Sequence, residues 1–199
     1  VRSPLGQEPP ARLDAGADER IRYIRDTMER AGTFTAVPGW GGAVMGVSAL
    51  VTALVAARAS SAEAWCRAWI VDGVLAFGIG CAAIAWKARR AQSPVVRGPA
   101  IRFLLTLAPP LAAGGVLTGV LLTARRIDLL PGTWLLLYGT AIATGGAASV
   151  PAVPVLGALL MATGTLAFAL PAAGNVLMAA GFGVLQIAFG LYIARRHGG

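Results

Sequence analysis

The sequence predicts an all-α membrane protein: a six-transmembrane-helix bundle preceded by a short N-terminal cytoplasmic amphipathic helix. Three observations carry that prediction. Of 199 residues, 56% are hydrophobic and only 13% charged, whereas a soluble domain carries roughly 25% charged residues to face water. The apolar residues gather into six runs, each close to the ~20 helical residues that cross a hydrocarbon core of about 30 Å. The basic residues flank those runs instead of forming a patch interleaved with aromatics, so the net charge of +8 reads as membrane orientation and not as nucleic-acid binding.

The runs fall at 37–57, 64–86, 101–124, 129–150, 153–170 and 174–194, within a transmembrane domain of residues 37–196. In lipid every backbone polar group must be satisfied internally, which leaves helices or closed barrels. Continuous Leu/Ala/Val/Gly runs lack the alternation of barrel strands, so helices are expected. Trp40, Trp65, Trp69, Trp86 and Trp134 lie near run ends, where an indole sits well at the membrane interface. The fourth and fifth runs are divided only by an uncharged stretch, Ser149 to Pro154, containing Pro151; a tight hairpin or partly re-entrant pair is expected there.

Orientation follows from Lys/Arg near the run ends. With the amino terminus inside, the cytoplasmic side holds Arg20, Arg22, Arg25, Arg30, Lys87, Arg89, Arg90, Arg97, Arg102, Arg195 and Arg196, against Arg58, Arg67, Arg125 and Arg126 opposite. Both termini are then cytoplasmic. Residues 1–36 are polar and proline-containing, so no signal peptide is expected and the first span serves as insertion signal. Residues 1–17 read as a disordered tail. Residues 18–36 read as a juxtamembrane helix and linker: Asp18 is an N-cap, and Ile21, Ile24, Met28 and Ala31 form a narrow apolar stripe. That stripe suits a membrane surface or a protein partner, or it simply braces the first span.

A weak echo links the halves. Pro38-Gly39 with Gly46 matches Pro131-Gly132 with Gly139, and Gly73 to Phe77 matches Gly164 to Phe168. Three spans per unit would make a 3+3 inverted repeat, an arrangement common in transporters. The matches are short and built from residues frequent in this chain, so chance is the rival explanation.

Few residues suggest chemistry. Asp72 lies near the middle of the second span, where a carboxylate is costly and faces a bundle interior, a partner or a pathway. It is either a proton or cation site or a structural group hydrogen-bonded to a neighbouring span. Gln186, near the middle of the sixth span, is the expected partner, both facing inward. Pro109 and Pro110 interrupt the third span and predict a kink, either a hinge or static packing. Thr140, Thr144, Thr163 and Thr165 line the fourth and fifth spans as a polar path or as back-bonding hydroxyls. Abundant glycines predict close helix packing, with a homo-oligomer face as the alternative. His197 is the only histidine and Cys66 and Cys81 the only cysteines, so neither bis-histidine haem nor a standard zinc site fits one chain. No metal or cofactor is predicted, there is no phosphate loop, and the sequence points away from an enzyme acting alone.

The stretch Ile21-Arg22-Tyr23-Ile24-Arg25-Asp26-Thr27-Met28-Glu29-Arg30, followed by Phe34-Thr35-Ala36-Val37-Pro38-Gly39-Trp40-Gly41-Gly42, resembles the lead-in segment of bacterial six-span membrane proteins of uncharacterised activity, often encoded beside a winged-helix regulator. The resemblance covers about 20 residues specifically and the six-span layout loosely, and it brings no catalytic residues to carry over. It implies a bacterial inner membrane and a regulatory or accessory role. Three functions are therefore weighed: a non-enzymatic accessory protein contacting a partner through Ile21, Ile24 and Met28; a small transporter or channel with Asp72 as its intramembrane site; and a structural subunit of a larger complex holding lipid, quinone or pigment.

Overall fold

Apolar runs this long become helices, since only local i to i−4 bonding satisfies each peptide group without water. The computed structural model describes Arg20 and residues 39–90 and 99–197. The chain divides into two compact units, Val1–Thr33 and Phe34–Gly199, and apart from Arg20 everything described lies in the second. The tail 1–17, most of the segment 18–36 and the stripe residues Ile21, Ile24 and Met28 fall outside the described residues.

Six helices follow: α1 (Gly39–Ala56), α2 (Ala62–Arg90), α3 (Pro99–Thr123), α4 (Leu130–Gly145), α5 (Ala152–Ala169) and α6 (174–197). Among the described residues, five helices are long and apolar enough to cross a membrane: Gly39–Ala56, Ala62–Lys87, Phe103–Thr123, Ala152–Ala169 and Pro171–Arg196. The chain is a multi-pass helical membrane protein. The fourth helix is shorter than its sequence run. Instead of continuing to residue 150, it stops after 16 residues at Gly145 and passes through a 3-10 turn, Gly146–Ala148, into Pro151. Paired glycines weaken the helix at that point, and the proline just beyond cannot extend it.

The helix ends show local sequence control. Ser61 Oγ accepts from Ala64 N at 3.1 Å, an N-cap for α2, and the Arg58 guanidinium donates to Leu54 O at the end of α1. Pro131 occupies the first turn of α4, where no backbone donor is needed. At the end of α3, Arg126 N donates to Leu121 O and Arg125 N to Leu122 O, the paired bonds of a Schellman cap. Arg125 holds the left-handed position of that cap at φ 55°, a conformation that costs a residue with a Cβ about 1 kcal/mol. Arg125→Gly should therefore raise stability by roughly 0.5 kcal/mol after the unfolded-chain entropy of glycine is subtracted, read from denaturant titration in detergent; a loss would show that the Arg125 side chain is needed there. The next residue, Arg126, bonds both carboxylate oxygens of Asp128 at 3.1 Å, which holds that carboxyl below the usual range. The pair is exposed and adds little stability.

Two glycine-lined crossings build the core. A Cβ on Gly157 of α5 would lie 2.5 Å from Ala143 N and 2.7 Å from Gly139 O on α4. One on Gly190 of α6 would lie 2.5 Å from Ala43 N and 2.7 Å from Gly39 O on α1. In lipid, where no hydrophobic drive joins helices, such backbone approach maximises dispersion contact. Leu130, Leu135, Leu160 and Met178 are fully buried, the last three within one hydrophobic cluster.

By contrast, α2 packs on α1 and α3 on α4, while α2 and α3 barely touch each other. Their outer faces carry exposed Val71, Leu75, Leu105 and Val116, as lipid contact requires. Pro109 and Pro110, where a kink is expected, lie inside α3, which continues through both as one helix; Pro109 is exposed and Pro110 half-buried. The helix pairing is itself approximately symmetric between the halves, α1 meeting α2 and α6 while α4 meets α5 and α3. The residues of the sequence echo do not share that symmetry. A Cβ on Gly164 would press on Leu136 N at 2.8 Å, whereas Gly73 has nothing within 4 Å.

Candidate functional site: an intramembrane cavity

Because α2 and α3 lean on different neighbours, a cavity of about 880 Å³ remains between them, backed by α1, α4 and α6. Its wall is mostly apolar. Asp72 is the one charged side chain among its described lining residues, and Gln186, Tyr138, Trp69, Trp134 and Thr118 supply the other main polar atoms.

Asp72 sits about three turns into α2 and is only 5% exposed. Ser48 and Thr52 on α1 are the hydroxyls that reach its carboxyl. The Ser48 hydrogen, however, goes to Met45 O at 2.8 Å, and Asp72 Oδ1 is buried with no hydrogen-bond partner in the protein. An unsatisfied buried carboxyl oxygen is expensive, so this atom is the least explained group in the bundle.

Gln186 is also buried, but it does not bond Asp72 as the sequence suggested. Its amide donates to the Tyr138 hydroxyl at 2.9 Å. The reason is helix geometry: residues 179–185 form a π-helical segment, and the wider turn carries Gln186 toward α4. Such segments are often found at functional sites. The same segment brings Phe182 against Tyr138 at 5.4 Å and Trp69 at 6.4 Å between ring centroids.

Nearer the end of the bundle where α2 begins lies an aromatic layer that sequence reasoning missed. Trp65 stacks on Trp134 with centroids 6.0 Å apart and planes 4° from parallel. Trp134 Nε1 donates to Thr118 Oγ1 at 2.8 Å, and that hydroxyl donates onward to Gly114 O. The indoles of Trp65 and Trp69 both donate to Asn175 Oδ1, at 2.9 and 3.0 Å, while Asn175 Nδ2 donates to Ala53 O at 3.1 Å. Of the five tryptophans assigned to the lipid interface from sequence, these three are tied into the protein; Trp40 and Trp86 remain exposed. The available signals were the spacing of Trp65 and Trp69, which puts both on one helix face, and a lone asparagine in an apolar run.

The threonines do not form a polar path. Thr140, Thr144, Thr163 and Thr165 each donate to a carbonyl of the preceding turn at 2.8–3.0 Å, the back-bonding alternative. Cys66 and Cys81 are free, and among the described residues no cluster of His, Cys, Asp and Glu could hold a metal.

Set against protein-family models, curated proteins and solved structures, the chain matches none.

Proposed function

We propose that this chain is a small transporter-class protein that binds an amphiphilic substrate inside the bilayer, with Asp72 as the polar anchor. The observation that supports this best is the pairing of a large apolar cavity with one buried carboxyl oxygen that no protein group satisfies. Binding sites of this kind are concave, mostly apolar and carry a few placed polar groups, and ionisable residues at membrane depth usually mark substrate or ion pathways.

In this reading α4 crosses as well, its 16 residues extended by the flanking 3-10 turns Ile127–Leu129 and Gly146–Ala148. Six crossings then form two inverted sets of three. The mutual pairing of α1–α3 with α4–α6 favours that arrangement, and the sequence echo adds nothing to it. The Lys/Arg bias favours cytoplasmic termini, and a bacterial inner membrane follows only from the resemblance of residues 21–42. The accessory-protein reading rests on the helix at 18–31, the mixed-charge tail, the resemblance and the lack of a catalytic site in the sequence, and the structural-subunit reading on grooves between small-residue helices.

Proteoliposomes containing the protein should move at least one of a set of cationic, neutral and anionic fluorescent amphiphiles faster than protein-free liposomes. Asp72→Asn should reduce that flux by about tenfold, the effect of removing roughly 1.4 kcal/mol of anchoring. If no probe moves faster with protein than without it, the transporter reading fails.

A further inference from the structure

We infer that the cavity takes a lipophilic cation, a protonated amine on an apolar or aromatic body, which reaches Asp72 sideways from the bilayer between α2 and α3. This rests on the transporter reading and specifies its substrate.

Charge selects the class. The described cavity wall holds one acid and no lysine, arginine or histidine. An anionic ligand would face the Asp72 carboxylate with no basic side chain in the described wall to offset it, and a neutral acceptor would leave Oδ1 unsatisfied. An ammonium group donates hydrogens and carries the complementary charge, making the shorter and stronger kind of hydrogen bond. Ser48 and Thr52 on the adjoining helix could take the remaining ammonium hydrogens through their oxygens, since a hydroxyl that donates elsewhere still accepts.

The aromatic groups select the body. Trp69, Tyr138 and Phe182 form a contiguous set on three different helices, about one turn from the level of Asp72. Ring faces attract a cation and pack against a flat apolar group. The cavity volume of about 880 Å³ lies within the range that encloses a drug-sized molecule.

The route follows from the packing. At the end where α2 begins, Trp65 and Thr118 both engage Trp134, so the indole bridges the gap between α2 and α3. Deeper in the membrane, among the described residues, the backbones of the two helices barely approach each other. Gly73 and Gly115 line the cavity from opposite sides of this gap, each with nothing within 4 Å of where a side chain would begin. A molecule already dissolved in the bilayer can therefore reach the carboxyl without crossing the aromatic layer.

The test uses the full chain in lipid nanodiscs, with a tritiated naphthylalkylamine and its N-acetylated derivative as probes and empty nanodiscs as the background. The amine should bind about tenfold more tightly than the neutral acetamide, and Asp72→Asn should bring the two together. Equal affinities in the unmodified protein would overturn the cation assignment while leaving a bilayer-facing binding site, and therefore the transporter reading, intact. Binding of neither probe, together with a lack of flux for every amphiphile, would remove both. Because the comparison of probes needs no variant, it stands even if Asp72→Asn folds poorly. The sideways route is tested by the double variant Gly73→Leu/Gly115→Leu, whose new side chains have room. Amine association should slow several-fold with the thermal transition unchanged, and an unaltered association rate would overturn that route.

Discussion

Gly157→Leu should destabilise the bundle by about 3 kcal/mol, at the upper end of the cost of overpacking a close contact. The α4–α5 crossing leaves no room for a side chain: a Cβ there would meet Ala143 N at 2.5 Å, Gly139 O at 2.7 Å and Ala143 Cα at 2.8 Å. All three atoms are backbone, so no rotamer change relieves the clash and the helices must separate. Separation would also loosen Leu160, which is fully buried beside this pair. The measurement is reversible denaturation in mixed micelles, with Gly115→Leu as the internal comparison. Gly115 lies on α3 with nothing within 4 Å, so that variant should stay within about 0.5 kcal/mol of the parent. Equal losses in the two variants would mean that the crossing at Gly157 is looser than described.

Asn175→Leu should cost about 2 kcal/mol, for a different reason. One amide on α6 binds two other helices: its oxygen accepts from the indoles of Trp65 and Trp69 on α2, and its nitrogen donates to Ala53 O on α1. Leucine has similar bulk but none of these groups, so two indole donors lose their partner. Hydrogen bonds between membrane helices are individually modest, around 0.6 kcal/mol on average, but a donor left unsatisfied in a dry site costs 1–3 kcal/mol. Trp69 is 4% exposed, so its indole cannot turn to water. Stability is read by the same titration, and near-ultraviolet circular dichroism reports whether the tryptophans lose their fixed setting. A neutral result with unchanged aromatic signal would show that the indoles find other acceptors.

Composition and run length were enough to read the membrane class, the helix starts to within a few residues and the burial of Asp72 and Gln186. These follow from local rules: a long apolar run must bond its own backbone in lipid, and a costly polar group must face away from it. The 3-10 turn after Gly145 was legible only in part, because glycine and proline weaken a helix without specifying where it stops.

Tertiary structure alone decided the rest. Whether Gln186 meets Asp72 or Tyr138 depends on a π-helical turn in α6, and a string of Gly, Ala and Leu does not encode its direction. Trp65, Trp69 and Trp134 have the same apolar-plus-donor chemistry at an interface or in a core; Asn175, more than a hundred residues from Trp65 and Trp69 in sequence, determines which. The glycines of the echo show the limit most clearly. Gly73 and Gly164 occupy matched positions in sequence, yet one faces open space and the other a helix backbone. A glycine permits close approach but does not choose its neighbour. That choice belongs to the packing of all six helices together, and it left α2 and α3 apart, with a cavity that Asp72 helps to line.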